Sequence, residues 1–175
     1  MRVNRTEGFT IVELLIVIVV IGILAALVLN TFTSAQANAR TAKTEAELKL
    51  VDTAIQALAV DTGKWPNGCT TGLQSNPEVD VEDATAGLTQ TPPVGVVDLD
   101  CEWTSSNVSD WRGPYVADDE IIDAWDNSYV FDPDYYPWQN CSTISNLSVR
   151  TVIVSYGPDG LEYTCDDIYR EVGNQ

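Results

Sequence analysis

The sequence predicts an α+β protein, with one very long N-terminal helix followed by a small antiparallel sheet. Three observations lead there. An uncharged apolar run passes into an amphipathic one with no proline between Phe9 and Lys64. A turn-rich middle follows, and the last third carries β-branched segments separated by strong turn signals.

The helix comes first. Gly8-Phe9-Thr10-Ile11-Val12-Glu13 opens a stretch that stays almost wholly apolar to Leu29, with Glu13 its one ionisable residue. About twenty residues at ~1.5 Å rise cover roughly 30 Å, the thickness of a bilayer core. Residues 9–29 are therefore predicted to cross a membrane. Residues 1–8 are short and polar and carry Arg2 and Arg5, which favours the cytoplasmic side and places the rest of the chain outside. A secretory signal would have a shorter apolar stretch with an A-x-A-like site after it, and neither is present.

Residues 30–62 continue the helix. Ala35, Ala39, Ala42 and Ala46 recur at spacings of three and four, as do Leu48, Val51, Ile55 and Leu58, and the second set is read as core of the outer domain. Glu45 precedes Lys49 by four residues, the favourable order for a helical ion pair. The stop is expected at Asp61-Thr62-Gly63-Lys64-Trp65-Pro66, where Gly63 can take a left-handed cap and Pro66 forbids continuation. One helix about 80 Å long is implied.

Residues 63–175 form the head. From Asn67 to Asp110 the chain is rich in turn formers, and Val94 to Leu99 is its one strand candidate. Ser128 to Phe131, Arg150 to Tyr156 and a short stretch around Ile168 to Glu171 read as strands, with Gly157-Pro158-Asp159-Gly160 a turn between the last two.

The net charge of −17 makes nucleic acid an unsuitable direct partner. Cys69, Cys101, Cys141 and Cys165 all lie on the exported side, none in a C-x-x-C pattern, and the chain has no histidine. Two disulfides in an oxidising compartment follow, with three pairings open; proximity along the chain favours Cys69–Cys101 and Cys141–Cys165.

The Gly8-Phe9-Thr10-x-x-Glu13 segment and its apolar continuation resemble the leader of the type IV filament superfamily, the bacterial type IV pilins and the pseudopilins of type II secretion. The resemblance implies a type IV pilin fold, cleavage after Gly8 by a prepilin peptidase, methylation of the new N-terminus at Phe9, and an assembly role for Glu13. A carboxylate in a membrane helix costs ~2.5–3.5 kcal/mol on insertion scales, so it needs a partner. The freed amine of Phe9, or that of a neighbouring subunit, is one turn away.

In the head, residues 61–66, 113–115, 123–129 and 155–160, with Asp166-Asp167-Ile168, look like the ordered motifs of the major pseudopilin of type II secretion. That resemblance implies a structural subunit which polymerises through its N-terminal helix to drive protein export. Its partners would be copies of itself, the peptidase, an inner-membrane assembly platform and minor pseudopilins. The chain would cross the inner membrane once, with its head in the periplasm. Some features depart from that pattern. The usual Trp-Gly-x-Pro is Trp125-Asp126-Asn127-Ser128, a helix-breaking proline is replaced by Asn30, and paired cysteines are more at home in pilins. A type IV pilus subunit for adhesion, motility or DNA uptake, with its head at the cell surface, therefore stays open.

The same resemblance implies calcium in the last loop, with Asp159, Asp166 and Asp167 as ligands together with backbone carbonyls. The chemistry suits it, since calcium takes six to eight hard oxygens, although no EF-hand pattern is present. Two other classes compete. A membrane-anchored enzyme could use Asp118/Asp119 or Asp166/Asp167 for acid–base work, but there is no histidine, nucleophile motif or phosphate loop, and a non-enzyme is expected. A ligand-binding head could use Trp65, Trp103, Trp111, Trp125 and Trp138, which the sequence otherwise places in packing roles.

Overall fold

The computed structural model describes residues 8–98, 100–116, 121–137, 141 and 148–173, apart from the side chains of 27–31. The chain divides into two compact units, Met1–Ala39 and Arg40–Gln175. A single helix, α1 (Ile11–Thr62), supplies residues to both.

In the first unit α1 carries exposed large apolar side chains from Ile11 (85 %) to Leu24 (56 %). Among the described residues no helix is long and apolar enough to cross a membrane. The end of the expected span, 27–29, lies outside the residues whose side chains are described.

In the second unit α1 has a buried face made of Leu48, Val51, Ala54, Ile55 and Leu58, the stripe that the three-and-four spacing marks. The i,i+4 ion pair on this helix joins Lys43 to Glu47 at 3.4 Å; among the described residues Glu45 and Lys49 form none. The helix ends where expected. Gly63 takes φ +71° and its N–H donates to the Ala59 carbonyl at 2.9 Å, satisfying one of the last-turn carbonyls.

A four-stranded antiparallel sheet packs on that face, in the order β1 (Val79–Asp80), β4 (Val130–Tyr135), β5 (Arg150–Ser155), β6 (Ile168–Glu171). Register pairs Phe131 with Val79 on one side and with Ile153 on the other. The period of two sorts the side chains. Phe131 and Ile153 join Leu48, Ile55 and Leu58 in the larger core, while Val130, Val152 and Val154 turn to the opposite face and pack with Tyr135, Tyr156, Tyr163 and Tyr169.

Strand β4 runs four residues past the expected end at Phe131. Asp132-Pro133-Asp134 reads as a turn, but a register shift between Asp132 and Tyr135 accommodates the proline within the strand.

The turn-rich middle holds more structure than its composition signals. A two-stranded hairpin, β2 (Gly95–Asp98) and β3 (Cys101–Trp103), leads into a six-residue helix, α2 (Ser105–Asp110). Thr104 and Asn107 close a capping box at its start, and the Asn107 amide donates to the last α1 carbonyl, Thr62 O, at 2.8 Å. The indole N–H groups of Trp103 and Trp111 donate to Thr85 O and Gly87 O (2.8 and 2.7 Å), fastening this excursion to the turn at Ala84–Ala86. Cys69 is bonded to Cys101, and Cys141 to Cys165.

Candidate functional sites

The N-terminal site is built by one local device. The Thr10 N–H and hydroxyl both donate to Glu13 Oε2 (2.9 and 2.8 Å), and the Glu13 N–H returns a bond to Thr10 Oγ1 at 3.3 Å. This is a capping box, which satisfies two donors that a helix start otherwise leaves unpaired. The T-x-x-E spacing that carries it is visible in the sequence, and the assembly-glutamate reading passed over it. Glu13 thus has a partner within its own chain. Gly8 and Phe9 precede the first helical turn, and Phe9 is 84 % exposed.

The last loop gathers all three aspartates expected to bind calcium. Thr164 Oγ1 lies 2.8 Å from Asp166 Oδ1, 3.2 Å from Asp167 Oδ1, 3.3 Å from Asp159 Oδ1 and 3.2 Å from the Leu161 carbonyl. A hydroxyl carries one proton, so it can donate to one of these four acceptors at a time. Asp166 also accepts the Asp159 N–H (3.1 Å), and Asp159 accepts the Leu161 N–H (2.8 Å).

Burial raises the Asp166 pKa, but the Thr164 and Asp159 donors outweigh it and hold the carboxyl below its usual value. Asp167 is pushed up to about 6, by burial first, against bonds from the Tyr135 hydroxyl and from Thr164. Gly157 is required here. At φ +61° a Cβ would collide with the Asp166 carbonyl oxygen. Only hard oxygens converge on the loop, a donor set that suits calcium.

The head motifs meet in pairs. The Tyr115 hydroxyl donates to Asp61 Oδ2 at 2.8 Å, joining the 113–115 segment to the end of α1. Asp123, 2 % exposed, accepts from the N–H groups of Trp125 and Asn127, both at 2.8 Å, and from the Ser155 hydroxyl. The Asn127 amide donates to Gly157 O at 2.8 Å. Residues 123–129 and 155–160 are thereby one hydrogen-bonded unit.

A further cluster was not legible in sequence. Glu78 before β1, Asp132 in β4 and Glu162 before β6 each offer a carboxylate oxygen within 4.8 Å of the others. They are 54 and 30 positions apart, and it is the β1–β4 and β5–β6 pairings that bring them together. Asp132 is 1 % exposed and is pushed up to about 7, by burial and then by Glu78 and Asp134, against a bond from the Asp134 N–H.

The rival classes have less structural footing. Trp103 and Trp111 spend their N–H groups on backbone carbonyls, and Trp65 packs against Phe131 at 6.0 Å. Asp166 and Asp167 are engaged with Thr164 and Tyr135, while Asp118, Asp119 and Trp138 lie outside the described residues.

The prokaryotic N-terminal methylation motif matches residues 3–29. That match and the helix-plus-antiparallel-sheet architecture liken the chain to the pilin-like proteins of the type IV filament superfamily and are consistent with the type IV pilin fold. Over 63 residues it is 41 % identical to the type IV major alpha-pilin of Moraxella bovis, an overlap of 36 % of this chain and 39 % of that protein. The chain therefore aligns with about two fifths of the relative's length. No solved structure matches it.

Proposed function

We propose that the chain is the structural subunit of a type II secretion pseudopilus. It is cut after Gly8, methylated at Phe9, and polymerises through α1 to drive protein export. The proposed partners are further copies of itself, prepilin peptidase, an inner-membrane assembly platform and minor pseudopilins, with the precursor anchored in the inner membrane by residues 9–29 and its head in the periplasm.

The observation that carries the assignment to secretion is the pairing of the head motifs: Asp61 with Tyr115, and the Asp123–Asn127 turn with Ser155 and Gly157. Self-association is supported by the helix surface. Phe9 and the large apolar residues from Ile11 to Leu24 are exposed all round, which favours burial in lipid or among other copies. Glu13 enters assembly by accepting a neighbour's Phe9 amine in addition to its Thr10 bonds.

A second reading, a type IV pilus subunit, is favoured by the likeness to a major alpha-pilin and by the two disulfides. Shearing producer cells at native expression, then electron microscopy and intact mass of the released material, separates them. Long surface fibres of a subunit beginning at Phe9 would overturn the pseudopilus in favour of the pilus; processed protein retained in the envelope without fibres is the expected result.

Calcium is proposed as a structural ligand of the last loop. Four acceptor oxygens crowd around one Thr164 proton, and a divalent cation would resolve that shortage of donors. Asp159, Asp166 and Asp167 would supply the carboxylates.

A further inference from the structure

From Asp52 onward carboxylates far outnumber the four cations, Lys64, Arg112, Arg150 and Arg170, and two of those arginines are taken up by Glu171 and Asp52. One strip of α1 has the opposite character. On the side turned away from the core, Lys43, Ala46, Lys49, Leu50, Ala57 and Val60 fall within about a third of the helix circumference at ~100° per residue, and all six are exposed. Between Lys43 and Val60 no carboxylate falls inside that sector, and Asp61 just beyond it is engaged by the Tyr115 hydroxyl. Leu50 and Val60 are 70 % and 84 % exposed. Lys43 leans on Glu47 at the edge of the strip, whereas among the described residues Lys49 forms no ion pair.

The complementary surface is the β2–β3 hairpin of the same head. Register sets Val96 across from Glu102 and Gly95 across from Trp103. The period of two then turns Val96 and Glu102 outward while Trp103 enters the core. Val94 and Val96 are 58 % and 70 % exposed, and the hairpin carries Asp98, Asp100 and Glu102 with no cation. Each head thus displays an apolar strip flanked by lysines and an apolar hairpin flanked by carboxylates. Either patch meeting its own kind would set like charges together. Each can meet the other kind on a second copy, a head-to-tail contact that repeats as an open filament.

We propose that the Lys43–Val60 strip of α1 in one subunit receives the β2–β3 hairpin of a second copy, with Val94 and Val96 lying over Leu50 and Glu102 reaching Lys49. The proposal rests on the reading of the chain as a filament subunit and specifies which head surfaces meet. Contact takes four exposed apolar side chains, Leu50, Val60, Val94 and Val96, out of water. The lysine stems extend the apolar surface while their ammonium groups stay at its rim, and the charge pairs fix register and exclude the like-on-like alternatives. Lysines among apolar residues also suit an anionic lipid surface, but the surrounding carboxylates would be repelled by one, which favours the acidic hairpin as occupant.

The test uses the full chain in producer cells, with Leu50 replaced by the photo-cross-linking residue p-benzoyl-phenylalanine. Irradiated envelopes are resolved by mass, and the peptide joined to position 50 is mapped in the species of twice the subunit mass. The expected peptide comes from residues 91–103 of a second copy. Lys49→Glu should lower its yield roughly tenfold, as should Glu102→Lys, and the two together should restore it. All three positions are exposed, so the head keeps its fold, checked by near-ultraviolet circular dichroism in detergent. Formaldehyde cross-linking of the parent separates the two levels of the reading. No multimer there overturns the filament subunit and this contact with it. Multimers in which position 50 joins another segment, its own counterpart, a different protein or lipid overturn the contact alone, as does a charge reversal without loss or a double reversal without rescue.

Discussion

Asp52 is the residue whose removal should damage the head most per atom lost. It is 2 % exposed on α1, and it accepts from Arg170 Nε at 2.8 Å, Gly173 N at 3.0 Å and Gln56 Nε2 at 2.7 Å. It thereby fastens the last strand and the turn after it to the helix, across 118 positions of sequence. Breaking a buried ion pair from one side costs ~3–5 kcal/mol, because the remaining charge keeps its desolvation penalty. Arg170 retains 29 % exposure of its side chain, so water takes back part of that penalty. Asp52→Ala is therefore expected to cost about 3 kcal/mol and Asp52→Asn, which keeps an acceptor for Gly173, about 1–2. For a head of this size about 3 kcal/mol lowers Tm by roughly 10 °C. All five tryptophans lie beyond Gly63, so a near-ultraviolet circular dichroism melt of the full chain in detergent reads the head alone. A double-mutant cycle with Arg170→Met should show coupling of about 2 kcal/mol. Additive losses, or an Asp52→Ala melt within about 2 °C of the parent, would refute the reasoning.

Other outcomes follow from the same structure. Thr10→Ala removes one side of the capping box and should lower helix content over the first turns by about 1 kcal/mol of cap stability, read from amide exchange at Ile11–Glu13. A bulky residue in place of Gly8 should leave an intact leader by mass spectrometry, and a mature N-terminus at Phe9 in that variant would remove Gly8 from the cleavage assignment. Replacing Cys141 and Cys165 by serine opens a loop of sequence separation 24, which costs about 3.5 kcal/mol by loop entropy, measured by urea unfolding. If the last loop takes calcium, the parent should melt several degrees higher in calcium than in chelator and Asp166→Asn should lose that difference; equal melts of the parent would remove calcium from the loop.

What the sequence made legible was whatever is periodic or local. The Leu48–Leu58 stripe, the Gly63 stop and the β-branched run at Arg150 each depend on a few neighbouring residues, and each appears where spacing places it. Strand β4 was cut short at Phe131 because Asp-Pro-Asp is locally a turn sequence, and pairing with β5 overrides that preference through a register shift. Strand β2 lies within the Val94–Leu99 candidate, whereas β3 and α2 were missed for a related reason. Their stability comes from the Cys69–Cys101 bond and from two indole N–H groups reaching carbonyls 18 and 24 positions away, and no window of sequence contains such contacts.

The candidate sites divide along the same line, and the division bears on what each can do. The cap at Thr10 and Glu13 is sequence-local, and so is most of the bonding among the three aspartates around Thr164, although Asp167 also takes burial and the Tyr135 hydroxyl bond from the rest of the fold. The Glu78–Asp132–Glu162 cluster exists only when both edge strands of the sheet are paired. Like charges brought together by tertiary structure oppose the structure that assembles them, and a buried carboxylate that no cation faces among the described residues is a cost that packing of Val130, Val152, Val154 and the tyrosines must offset. A local acidic turn relaxes into solvent when it ionises, whereas these three carboxylates cannot separate without moving a loop that a disulfide and a tyrosine stack hold in place.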